Sequence, residues 1–136
     1  MGYCGRMEID MTKAEALHTF WSSFGLKAYD ENTIPTGDKQ PQLPYITYST
    51  QTDSIGNILA LTGSIWYRSS SWKEVEQKAE EVAEKVGRSG YYLCRLDNGY
   101  LWITKGTPFS QRMSDPADDM IRRIYINLHG EFLTAY

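Results

Sequence analysis

The chain has 136 residues, with 17 acidic against 14 basic side chains and a net charge of −3. This length fits one domain that buries about two-thirds of its unfolded surface, so a core needs no covalent staples. The acidic balance argues against a dedicated nucleic-acid binder with a basic stripe. No apolar run approaches the about 18 residues of a membrane span.

Two cysteines, Cys4 and Cys94, are too few for a disulfide framework and are expected as reduced thiols. The opening MGYCGRMEID lacks the apolar core of a secretory signal. The ten tyrosines suit either strands or protein interfaces.

Residues 1–11 carry no periodicity and read as a flexible N-terminal extension, which leaves residues 12–136 as a single domain. Thr12 and Glu15 have the spacing of a capping box, in which each side chain takes the other's backbone N–H. Ala14, Leu17, Phe20, Trp21 and Phe24 then form a helical apolar stripe, and Gly25 ends it. Residues 26–43 form a long polar connection with two prolines. It is either a variable surface loop or a loop that docks on a neighbouring subunit.

The sequence YITYSTQT after Pro44 alternates as a strand. A turn at residues 53–57 leads into a second strand, with Leu59, Leu61, Gly63, Ile65 and Tyr67 on one side. The period then changes from two to 3.6. Trp72, Val75, Ala79, Val82 and Val86 mark a second amphipathic helix. Ser71 and Glu74 are placed for its capping box, Glu74→Lys78 and Glu81→Lys85 for ion pairs, and Gly87 for its stop.

Residues 91–96 and 100–105 flank Asp97-Asn98-Gly99, a strong hairpin signal. Residues 106–117 read as a loop, and residues 120–133 as a long strand with a bulge at Gly130. The predicted order is α-β-β-α-β-β-β. Hairpins and two amphipathic helices imply an α+β two-layer sandwich, with a mostly antiparallel sheet and both helices on one face. Tyr45, Trp66, Tyr125 and Leu133 would then lie on the uncovered face.

Signatures of chemistry are absent. No G-x-S-x-G, phosphate loop, H-E-x-x-H or dinucleotide fingerprint occurs. His18 and His129 have no ligand-spaced neighbours, and Ser69-Ser70-Ser71 lacks the glycines of a nucleophile elbow. No catalytic, cofactor-binding or metal-ligating residue is assigned. Asp115, Asp118 and Asp119 form a cluster that reads as a solvated acidic turn, with a divalent-cation site as the other possibility. Of Arg122 and Arg123, alternation puts one on the apolar face, where it would snorkel or find an acid. An intersubunit ion pair and an edge position are both open.

Four stretches resemble the tail terminator, or head–tail joining, proteins of long-tailed bacteriophages. They are FWSSFGLKAYDENTIP (20–35), LPYITYST (43–50), GSIWYRSSSWKEVEQKAEEV (63–82) and residues 99–136. The resemblance covers nearly everything after Met11 and rests on packing patterns, with no transferable functional motif. It implies a minor capsid or tail completion protein of the virion, built as an α+β subunit in a homo-oligomeric, usually hexameric ring. That ring would cap the tail tube protein, meet the head connector and let DNA pass through its lumen. It implies no enzyme activity, no cofactor and no membrane.

On this resemblance, Asp115, Asp118 and Asp119 are candidate lumen residues. Tyr45, Trp66, Arg122, Arg123 and Tyr125 are candidate subunit-interface residues. The alternative is a small-ligand or peptide-binding module that uses the uncovered sheet face. A metal-dependent hydrolase built on the acidic cluster is a third possibility.

Overall fold

Trp21 and Phe20 anchor the first helix in the core: both are about 1% exposed. Burying one such side chain stabilises by roughly 1.5–3 kcal/mol. A computed structural model of the protein describes residues 3–4 and 11–136. The elements are β1 (Tyr3–Cys4), α1 (Lys13–Ser22), β2 (Ala28–Asp30), β3 (Tyr45–Tyr48), β4 (Ile58–Arg68), α2 (Lys73–Gly87), β5 (Tyr92–Leu96), β6 (Gly99–Met113) and β7 (Ile121–Thr134), with a 3-10 turn at Gly37–Lys39. The class is α+β.

The strands make one sheet in the order β1-β5-β6-β7-β4-β3-β2. The four inner pairs are antiparallel, and the two outermost pairs are parallel. At the centre, β4 and β7 pair without a break from Ile58–Glu131 to Arg68–Ile121. Period two therefore sorts the side chains strictly. Leu61, Ile65, Ile124, Ile126, Leu128 and Phe132 join one core with Leu17, Phe20 and Trp21 of α1 and Val75, Val82 and Val86 of α2. Both helices thus bury their stripes against the same sheet face.

Gly63 makes the close approach possible. A Cβ there would lie 2.7 Å from the Trp21 ring. Trp21 also stacks on Tyr48 at 6.5 Å and 12°, and Phe20 meets it edge-on at 5.1 Å.

The Thr12–Glu15 capping box forms as expected, with bonds of 3.2 and 3.0 Å, and Gly25 follows α1 at φ +84°. The start of α2 differs. It begins at Lys73, and the Ser71 hydroxyl accepts the Lys73 N–H at 3.0 Å, a turn of two residues in place of the expected box. Gly87 stays helical, and the positive φ belongs to Gly90, at +85°. The helical lysines reach between elements. Lys78 donates to the Phe24 carbonyl at 2.7 Å, and Lys85 to the Ser23 hydroxyl at 2.7 Å, lying over the Phe24 ring. These contacts tie α2 to the end of α1.

Three further expectations are corrected. The predicted order lacked β1 and β2, because strands of two and three residues show too little alternation to detect. The expected loop 106–117 is largely strand, since β6 continues to Met113 through a break in register between Lys105 and Ser110. Gly130 is no bulge. It pairs regularly with Leu59 and Ile103, and a Cβ there would run into the Leu61 side chain.

The extension expected over residues 1–11 falls mostly outside the described residues. Of the part described, Tyr3–Cys4 pairs with β5, placing Cys4 in register with Cys94, and Met11 is buried.

Gly63→Ala is expected to destabilise the fold by about 1–3 kcal/mol, the usual cost of overpacking. Urea unfolding would measure it, and an unchanged midpoint would show that Trp21 has room to move.

Candidate interaction surface

The same period that buries the core aims a second row of side chains at the opposite face, where no helix lies among the described residues. Along β4 this row is Ala60, Thr62, Ser64, Trp66 and Arg68, and along β7 it is Arg123, Tyr125, Asn127, His129 and Glu131. Register sets Tyr45 beside Trp66, and Trp66 beside Arg123.

These neighbours pack. The Arg123 guanidinium stacks on the Trp66 ring at 4.6 Å, a cation–π contact. Its Nε donates to the Ser64 hydroxyl at 3.0 Å, and Ser64 is buried. Trp66 Nε1 donates to Thr47 at 2.9 Å. Tyr45 lies 6.4 Å from Trp66 and 5.8 Å edge-on from Tyr29. Arg123 is therefore ordered by one nitrogen and one ring face, while no carboxylate among the described residues pairs with its fork.

The candidate interface residues thus separate. Trp66, Arg123 and Tyr125 lie half-buried on this face. Tyr45 is buried within the subunit, where its hydroxyl accepts from Gln40 at 3.3 Å, and it backs Trp66. Arg122 lies on the helix side. It packs 5.3 Å from Trp72, with Arg112 at 4.7 Å from that ring. Arg122 donates to the Asp119 and Ser70 carbonyls at 2.7 and 3.2 Å, and its buried Nε has no partner. It snorkels along the tryptophan to reach backbone, one of the outcomes open from alternation.

The far end of the open face is apolar and wet. Ile58 is 69% exposed and Trp102 is 42% exposed, and the Trp102 ring lies 5.0 Å from Tyr91. Two shallow hollows of about 200 and 230 Å³ flank the middle of the face. Both are smaller than the roughly 300–1,000 Å³ typical of ligand pockets.

The three aspartates lie in the turn between β6 and β7. Asp115 accepts the Ala117 N–H at 2.8 Å. Asp118 accepts the Met120 N–H at 2.9 Å and pairs with Arg68. Asp119 offers its carbonyl to Arg122. Their oxygens shape the turn, and the described residues hold no group of three His, Cys, Asp or Glu side chains placed to bind a metal.

A third arrangement was hidden from the sequence. His18 Nδ1 lies 3.1 Å from the Tyr48 hydroxyl, and its Nε2 lies 3.3 Å from Ser22 Oγ. Burial, and then the nearby Asp30 charge, push the Tyr48 phenol up.

Compared with known protein families, curated proteins and solved structures, the chain has no significant match in any of the three. No helix among the described residues is long and apolar enough to cross a membrane.

The Met120 N–H, with a smaller contribution from the Arg68 guanidinium, holds the Asp118 carboxyl below the usual carboxylate range. A depressed folded pKa contributes stability above the unfolded value, and that contribution is lost as pH falls through the folded value. The Asp118 carboxyl resonance should therefore titrate below the unfolded carboxylate range, with the Met120 amide shift following the same curve. A Met120 amide that ignores this titration would refute the assignment.

Proposed function

We propose that the chain is a non-enzymatic structural subunit of bacteriophage assembly. In this role it forms the tail terminator ring that closes the tail tube and joins it to the head connector. The observation that carries the proposal is the ordered Trp66–Arg123 pair on the uncovered sheet face. Trp, Tyr and Arg are the residues that dominate binding energy at protein interfaces, and here they are held ready with the arginine fork unclaimed. The four stretches that resemble tail terminator proteins supply the choice among protein-binding roles.

The two-layer build suits a ring as well. A head-to-tail ring needs two different surfaces per subunit, and a helix layer backed by an uncovered sheet face offers them on opposite sides. The turn that holds Asp115, Asp118 and Asp119 would face the lumen, where negative charge repels the passing polyanion. The subunit would be found in the virion, at the head–tail joint, and in host cytoplasm during assembly. The small size of the hollows on the open face weighs against the peptide- or ligand-binding alternative.

Immunogold labelling of purified virions with antibody to this chain should give one cluster at the head–tail joint. Particles lacking the chain should carry tail tubes of uncontrolled length. Label along the whole tail, or virions without the polypeptide, would overturn the proposal.

A further inference from the structure

We infer that the Arg123 fork receives a carboxylate from the outward face of α2 of a neighbouring copy, with Glu80 as the principal acid. This deepens the proposed ring and rests on that reading. Arg123 is pinned by Trp66 and by Ser64 through Nε, which leaves the two terminal nitrogens to bind a carboxylate side by side. Such bidentate pairs are among the strongest charge-assisted contacts.

The helix supplies the complementary charge. α2 carries five glutamates against three lysines. Its buried positions are Val75, Ala79, Val82 and Val86, so at 100° per residue the opposite side centres on Gln77, Glu80 and Glu84. Glu84 pairs with Arg88, Glu81 with Lys78, and Glu76 with Arg112. Glu74 and Glu80 are both exposed with no ion-pair or hydrogen-bond partner among the described residues, and of the two Glu80 lies on the side opposite the buried stripe. An ordered cation without an acid and an exposed acid without a cation thus lie on opposite layers of one domain. Contact between unlike opposite faces is heterologous. It propagates from subunit to subunit and forms a ring where the rotation between neighbours closes.

The test uses the full chain as wild type, Arg123→Glu, Glu80→Arg and the double exchange, with sedimentation velocity and native mass spectrometry over a wide concentration range. Wild type should self-associate, and each single exchange should weaken association by roughly 30-fold or more. The double exchange should restore it, because the pair is re-formed with its sign reversed. Glu80→Arg lies on an exposed helical position, so its thermal midpoint should match wild type and separate lost contact from lost fold.

A wild-type chain that stays monomeric, or single exchanges without effect, would overturn the pairing. So would a double exchange no better than either single one. None of these results moves the immunogold label, so the pairing can fail while the head–tail placement stands, and the reverse.

Discussion

The contact of Trp21 with the bare backbone of Gly63 is the constraint on which the molecule depends. It brings α1 down onto β4 at the distance of one ring thickness, and no side chain can stand between them. Once α1 is seated there, Lys78 and Lys85 draw α2 alongside by bonding to Phe24 and Ser23. All helical apolar surface is then spent on one sheet face. A strand buried on one side only must alternate, so the other face receives whatever the even positions of β4 and the odd positions of β7 carry.

Arg122 and Arg123 show how far one step in register reaches. They are chemical equals, adjacent in sequence, and each lies against a tryptophan. Arg122 points to the helix layer, where its terminal nitrogens serve the Asp119 and Ser70 carbonyls and hold the turn onto the start of α2. Arg123 points to the open face, where only Nε is used. The first arginine is consumed by the fold. The second is ordered by the fold, with its terminal nitrogens unpaired among the described residues.

What could be read from the sequence followed from period and punctuation. Alternation at Leu59–Tyr67 located β4, the Trp72–Val86 stripe located α2, and Asn98-Gly99 located the β5–β6 turn. What escaped had no periodic signature. Residues 28–30 become a strand only because β3 lies beside them, and Asn127 faces the four-residue break that carries β6 on to Met113. The open face was legible as a set of residues, and Trp66 and Tyr125 were placed on it. The stacking of Arg123 on Trp66 was not legible, because it depends on cross-strand register that only the folded pair defines. The His18–Tyr48–Ser22 chain was invisible for the same reason.

The described edges of the sheet offer little to an added strand. Long, flat, unpaired strands invite strand addition, yet here the outermost strands have two and three residues. The stretch of β6 beyond Ile103, which β5 no longer covers, is interrupted by Pro108 and the register break. Edge-to-edge growth on these outermost strands and on this stretch of β6 would gain few ladder bonds among the described residues. The faces carry what the edges lack: an exposed charged helix on one side, and ordered aromatic and guanidinium groups on the other. In the proposed ring, association would therefore stack layers, each contact using two different surfaces.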